Sequence, residues 1–465
     1  MFVLARGVKR TMRKRIDPPI YGVLTRFSME NRYIQEGMHF CFDGKTLTVY
    51  FDNRLDPTQL MEALFSDASE TTNEIKGIVE GRVKPSDEYA AFHISCRSVI
   101  REHSVALGVV AYWILYGEVG LGDIGRMRFE GECVDSFCPM TNLETDISKG
   151  RYVVTATTCE ENVIDLGTAT IAGKSVAISA EAFWVYDFRR NIQFKSCISV
   201  DNDALDYDRM KRIYISVASA LRFCLGRGNV DFEVILCRDT SEGWETAGEF
   251  TALHGKTYVP DEYDGRDVAF VRAHNIGNHF SALVSAFDSE MLEGKALSES
   301  REDSQLITLP KVIKLTSSFE HEFREVFPEG IKHGVGTQRV YDKARKAILD
   351  AAEELPSDSK RILKRLSDRV EDDSLEARIR YACKKLPQTV CDVIFEKSSV
   401  NGKNTRLGKK ITTMRNDIAH GNKPRYDLGD IREEYKLLIN LVFIMRLLRV
   451  GIPDDDAVRL LKAMS

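Results

Sequence analysis

The sequence predicts an α+β chain in which a β-rich N-terminal domain, an antiparallel sheet or sandwich with one or two helices, precedes an all-α helical bundle. Three observations predict it. Up to about residue 290, apolar and polar residues alternate with the period of two that half-buried strands require. Beyond residue 309 the apolar spacing changes to the threes and fours of amphipathic helices. Between them Leu292 to Ser304 is rich in Ser, Glu and Lys with little apolar periodicity, which suits a linker. The expected domains are residues 1–291 and 309–465, joined by a linker at 292–308. A chain of 465 residues also exceeds one ordinary core.

Individual elements follow from local pattern. The run from Phe40 to Phe51 alternates on both sides of Asp43-Gly44, a pair that tolerates the positive φ angles of a type I′ hairpin turn. Further strands are expected at Met127 to Val134, Tyr152 to Thr158, Thr168 to Ile171, Val176 to Tyr186, Ile192 to Val200 and Val230 to Leu236. Met210, Ile213, Tyr214, Val217, Leu221 and Cys224 recur at helical spacing and end at Gly226, and a second helix is expected over Phe280 to Met291. In the C-terminal part, Val312, Thr316, Phe319, Phe323 and Val326 mark one helix, and Val340, Ala344, Ala347, Ile348 and Ala351 mark another. Asp373 followed by Glu376 resembles a capping box that opens a helix through Leu375, Ile379 and Cys383. Helices near 387–397, 405–420, 428–450 and 454–464 complete the bundle.

Composition narrows the class. A hydrophobic content of 43% and a charged content of 29% describe a globular protein. The most apolar stretch, Leu437 to Val450, is interrupted by Asn440, Arg446 and Arg449 and is too short to span a bilayer, so no membrane association is expected. The N-terminal run Arg6, Lys9, Arg10, Arg13, Lys14 and Arg15 lacks the apolar stretch of a secretory signal and reads as a basic tail. The ten cysteines are scattered, with no CxxC and several beside apolar residues, although Cys159 stands between Thr158 and Glu160. Reduced thiols in a cytoplasmic protein are expected, without a metal or a disulfide framework.

Chemistry concentrates in Arg415-Asn416-Asp417-Ile418-Ala419-His420. The bare pattern Arg-x(4–6)-His proves little, since it also occurs at Arg32 to His39, Arg97 to His103 and Arg272 to His279. Only the segment at 415 has an amide directly after the arginine, lies in the helical domain and runs into a helix stop, Gly421 with Asn422 and Pro424 behind it. His420 should therefore sit in the last turn, where the negative end of the helix dipole attracts positive charge. Asn416 and His420, four residues apart, share a face; Arg415 stands about 140° from His420 around an ideal helix and reaches the edge of that face. Between Asn401 and Tyr426, Lys403, Arg406, Lys409, Lys410, Arg415, Lys423 and Arg425 face the single acid Asp417, a local +6 inside a chain of net −5. Such a patch attracts a phosphate backbone, and Lys403, Arg406, Lys409, Lys410, Lys423 and Arg425 are the expected RNA contacts beside the catalytic trio.

The Arg-polar-His segment near a helix end in a C-terminal α-helical domain resembles the signature of HEPN ribonucleases over roughly residues 309–465. The pairing with a long β-rich region resembles the ApeA group of bacterial anti-phage proteins. The resemblance implies a metal-independent endoribonuclease without cofactor, a homodimer through the helical domain, and a composite cleft. It further implies His420 as general acid and base, Arg415 as the phosphate anchor and Asn416 as an orienting group. A role in abortive infection, with the N-terminal domain sensing a phage-derived trigger or restraining the nuclease, belongs to the same implication. The alternative is a non-catalytic RNA-binding and dimerisation module with a ligand-sensing β domain.

Three further signals carry less. Gly120-Leu121-Gly122-Asp123-Ile124-Gly125 is a formal GxGxxG, yet the residues after it alternate like a strand and open no helix for a phosphate. His274 and His279 have no carboxylate or cysteine at ligand spacing. Asp201, Asp203, Asp206 and Asp208 precede a helix, where acids are favoured, and lack the Gly and Glu of a calcium loop.

Overall fold

A computed structural model describes residues 18–29, 32–34, 39–50, 75–86, 88–96, 99–101, 104–139, 141–146, 153–158, 163–187, 191–203, 205–228, 230, 232–252, 271–293, 306–368 and 373–464. The basic run at residues 6–15, Cys159, the Arg97 to His103 pair and most of the expected linker lie outside them. The chain divides into two compact units, Met1–Leu225 with Asn229–Met291, and Gly226–Gly228 with Leu292–Ser465.

The first unit is built on antiparallel strands. In chain order they are β1 (Ile20–Met29), β2 (Arg32–Ile34), β3 (His39–Phe42), β4 (Thr46–Tyr50), β5 (Ile75–Val83), β6 (Tyr89–Cys96), β7 (Val99–Arg101) and β8 (Ser104–Leu115). They continue as β9 (Ile124–Glu130), β10 (Thr141–Asp146), β11 (Val153–Thr158), β12 (Val163–Ile171), β13 (Lys174–Asp187), β14 (Asn191–Asp201), β15 (Glu233–Thr240) and β16 (Gly243–Ala252). The helices are α1 (Glu132–Phe137), α2 (Tyr207–Leu225), α3 (Ala273–Ile276) and α4 (His279–Asp288). The main sheet runs β12-β13-β14-β9-β15-β16-β8-β4-β3-β1-β5-β6, and β6 pairs back onto β8. Six strands thereby close into a barrel, and β8 belongs both to that barrel and to the open sheet. At its N-terminal half β8 pairs with β4, as in Leu47 against Leu107; at its C-terminal half it lies between β6 and β16, with Trp113 opposite both Ala91 and Phe250.

Aromatic side chains fill the barrel. Phe40 and Phe42 from β3 meet Phe92 from β6 at ring separations of 5.3 and 5.1 Å, and Phe42 meets Tyr112 from β8 at 5.0 Å. Phe40 requires glycine on two neighbouring strands, because a Cβ at Gly22 or Gly81 would stand 2.5 or 2.6 Å from its ring. The hairpin at Asp43-Gly44 forms as the pattern predicts, with a different turn. Only Gly44 has positive φ, so it is not type I′; the Asp43 carboxylate instead accepts from the N–H groups of Lys45 and Thr46 at 2.8 and 2.7 Å.

On the open sheet α2 packs beside α4, and Tyr214 of α2 meets Phe232 and Phe250. The expected strand over Met127 to Val134 stops at Glu130, where α1 begins two residues later. The GxGxxG segment forms a short 3-10 turn, Leu121–Asp123, followed by β9, so no helix N-terminus stands there for a phosphate. Among the aspartates before α2, Asp206 accepts from Arg209 N–H and Asp201 holds Arg126.

The second unit contains α5 (Leu309–Val326), α6 (Val335–Glu353), α7 (Ser357–Asp368), α8 (Leu375–Lys385), α9 (Gln388–Ser398), α10 (Lys409–Ala419), α11 (Arg432–Arg449) and α12 (Asp454–Ala463). The apolar run from Leu437 lies in α11, which packs against α5, α9, α10 and α12. Its polar interruptions are satisfied. Asn440 donates to Ser398 Oγ at 3.0 Å, while Arg446 and Arg449 hold the two oxygens of fully buried Glu322 at 2.9 and 2.7 Å. Helices α6 and α7 pack on each other as a hairpin. The α8 cap differs from the expected box. Ser374 accepts from Ala377 N–H, and Asp373 pairs instead with His333 at 3.2 Å. Among the described residues, no helix is long and apolar enough to cross a membrane.

Candidate active site

Helix α10 presents the segment singled out by sequence. It starts four residues later than the periodicity suggested, because Asn401 and Asn404 fold the preceding loop into side-chain turns onto the N–H groups of Lys403 and Arg406. Its first turn carries Lys409 and Lys410 and no acid, the wrong sign for a helix N-terminus. The missing negative charge comes from α11. Buried Glu434 accepts from the N–H groups of Gly408 and Ile411 at 3.1 and 2.8 Å. Burial pushes its pKa up while those backbone donors oppose the shift.

The other end of α10 closes as Gly421 predicts. Asn422 N–H bonds to Asp417 O at 2.8 Å and Gly421 N–H to Ile418 O at 3.0 Å, the two hydrogen bonds of a Schellman motif with Gly421 at φ 70°. His420 is the C-cap. Below it, buried Asp417 accepts from the N–H, Nε and Nη2 of Arg425 at 3.1, 3.1 and 2.9 Å. Those bonds from Arg425, with a smaller contribution from nearby His420, hold the Asp417 carboxyl below the usual range. The turn that fixes the position of His420 is thus tied at both ends.

Arg415 Nη1 donates to Asn416 Oδ1 at 3.1 Å, so the two side chains form one unit, with the Asn416 NH2 left as a donor. The Arg415 guanidinium also pairs with Glu320 of α5 at 3.5 Å, and Glu320 pairs with Arg378 of α8 at 3.4 Å. One carboxylate therefore stands between two guanidinium groups. The imidazole of His420 is exposed and has no hydrogen-bond or ion-pair partner among the described residues. Together these groups offer fixed cations, an amide donor and an accessible imidazole, which suits a phosphodiester.

The remaining sequence-predicted contacts divide between the ends of α10. Lys403, Arg406, Lys409 and Lys410 are exposed at its start, and Lys410 Nζ reaches Asp430 O at 3.3 Å. Lys423 and Arg425 are exposed beside His420, Arg425 being committed to Asp417. The two groups lie about 16 Å apart along the helix. Glu320, Arg378 and Glu434 carried no sequence signal, because each joins the site only through helix packing. Among the described residues, no group of three or more His, Cys, Asp or Glu side chains is placed to hold a metal ion.

Residues 320–455 match the family model described as Apea-like HEPN, and this part of the chain is an ApeA-like HEPN domain. The matched segment begins at Glu320 itself and contains Arg378, Arg415, Asn416 and His420. No curated protein and no solved structure gave a match.

Proposed function

We propose that this protein is a metal-independent HEPN-type endoribonuclease. The observation that carries the reading is the linked Arg415-Asn416 pair beside the exposed imidazole of His420, within the matched HEPN segment. His420 removes the proton of a ribose 2′-hydroxyl as that oxygen attacks the adjacent phosphorus. The new O2′–P bond forms, the P–O5′ bond breaks, and the departing O5′ takes a proton from the imidazolium. Arg415 holds the non-bridging oxygens and stabilises the charge that gathers on them. Asn416, fixed through its carbonyl, turns its amino group towards the phosphate. The products are a 2′,3′-cyclic phosphate and a 5′-hydroxyl, and DNA is inert because it lacks the nucleophile.

Two copies facing each other would place their segments in one cleft, so that one imidazole serves as base and the other as acid. The β-rich unit senses a trigger, of phage origin on the ApeA reading, or restrains the nuclease in bacterial abortive infection. The deciding experiment incubates the wild type, Arg415→Ala and His420→Ala with total RNA in EDTA and maps the cleaved ends. Cyclic phosphates from the wild type alone are expected. Equal cleavage by all three rejects the site, and RNA retention without cleavage by any favours a binding module.

A further inference from the structure

Helix α5 carries two acids that each bridge two arginines, and the two bridges differ in kind. Glu322 is fully buried, and its oxygens hold Arg446 and Arg449 at 2.9 and 2.7 Å, the length of tight charge-assisted bonds. Glu320, two residues earlier and so on the other side of the helix, reaches Arg378 through Oε1 at 3.4 Å and Arg415 through Oε2 at 3.5 Å. The side chains of Glu320, Arg378 and Arg415 are 18%, 20% and 34% exposed, so a ligand can reach them. The first bridge is a packing contact; the second is loose and open to solvent.

The loose bridge leaves Arg378 with donors to spare. A guanidinium has five N–H groups in a fixed fork, and Glu320 is the one hydrogen-bond or ion-pair partner of Arg378 among the described residues. Arg415 is likewise open, its other contact being Asn416. Arg425, beside His420, is instead committed to Asp417. Helices α5, α8 and α10 pack on one another, so the three charges come from three elements whose spacing the core fixes. The carboxylate keeps the two bridging nitrogens within about 9 Å of each other. Two cations so held, each with free donors, can take two neighbouring phosphates of one strand.

We propose that Arg378 binds the phosphate next to the scissile one, and that Glu320 is a positioning residue that sets the spacing between Arg378 and Arg415. Resting on the ribonuclease reading of Arg415, this assignment makes the preferred substrate a strand of at least three nucleotides. A dinucleotide has a single bridging phosphate and leaves Arg378 empty.

The test uses the full chain and an RNA oligomer that is 2′-O-methylated at every ribose but one, so that cleavage can occur at a single phosphate. Methylphosphonate, which carries no charge, replaces the neighbouring phosphate on the 5′ or the 3′ side, and single-turnover cleavage efficiency is read for the wild type and Arg378→Gln. On the all-phosphate oligomer Arg378→Gln is expected to lose about tenfold. At one of the two positions methylphosphonate should cost the wild type about tenfold and Arg378→Gln less than about twofold. Arg378→Met, which keeps most of the aliphatic packing, replaces the glutamine variant if that one does not fold. Glu320→Gln removes a negative charge from a site for a polyanion, so a positioning role predicts a lower maximal rate with KM no higher; faster cleavage rejects that role. Equal methylphosphonate costs in wild type and variant at both positions overturn the assignment of Arg378 alone. An oligomer left intact by the wild type overturns the ribonuclease reading together with it.

Discussion

At the scale of single residues, the catalytic reading makes separable predictions for groups that touch one another. His420→Ala is expected to reduce cleavage by roughly 10²-fold or more, with the melting temperature unchanged because the side chain is exposed. Arg415→Lys keeps the charge and loses the fork that holds both Asn416 and Glu320. It should lower the cleavage rate far more than RNA affinity, measured by single-turnover kinetics beside a binding isotherm; an equal fall in both would make Arg415 a simple backbone contact. Arg415, Asn416 and His420 were singled out from sequence because their relation is local, within five residues of one another along one helix and its C-cap. Glu320 and Arg378 were not, because the contacts that bring them to Arg415 come from the packing of α5 and α8 against α10, and nothing in their own neighbourhoods marks them.

At the scale of elements, the end of α10 is the part that local chemistry dictates most fully. Gly421→Ala places a Cβ in open space at φ 70°, so its cost is backbone strain alone, about 1 kcal/mol, visible as a lowered melting temperature, whereas Gly421→Asn should cost less. Asp417 adds a pH signature. Its folded pKa is depressed by Arg425, so its contribution to stability is present above the unfolded value near about 3.9 and is lost as pH falls through the folded value. Acid titration of Asp417→Asn should therefore lack part of the stability loss that the wild type shows below about pH 4; identical acid profiles would assign that loss elsewhere. Other elements were harder to read. Helix α7 has few apolar residues and no run long enough to announce it, and Ser374 took the cap that Asp373 and Glu376 advertised because Asp373 was drawn to His333.

At the scale of the whole molecule, long-range pairing decides what the sequence leaves open. The alternation that predicts strands does not say which strands meet, and barrel closure depends on β6 returning to β8. In the helical unit the corresponding long-range tie is Glu322 between Arg446 and Arg449. Removing its carboxylate strands Arg446 inside the core, while Arg449 keeps Glu325 at 3.5 Å, so Glu322→Ala should cost roughly 3–5 kcal/mol in a denaturant titration. A loss below about 1 kcal/mol would mean that water reaches the arginines. The periodicity that identified α11 also exposed Asn440, Arg446 and Arg449 as anomalies, and each proved to be a cross-helix contact.

The outer margin of β12 has a consequence for any signal that the β-rich unit receives. That margin is occupied by α4: the Thr170 N–H donates to Ser285 Oγ and the Ala172 N–H to Asp288 Oδ2, both at 2.9 Å, and Asp288 is itself clasped by Arg212 of α2. The opposite end of the strand order is spent on closing the barrel. Among the described residues, the Thr170–Ala172 end of that margin is therefore filled, and an extended peptide could not add to the sheet at that point without displacing α4. Amide exchange at Thr170 and Ala172 should be as slow as in an interior strand until Ser285 and Asp288 are both replaced by alanine.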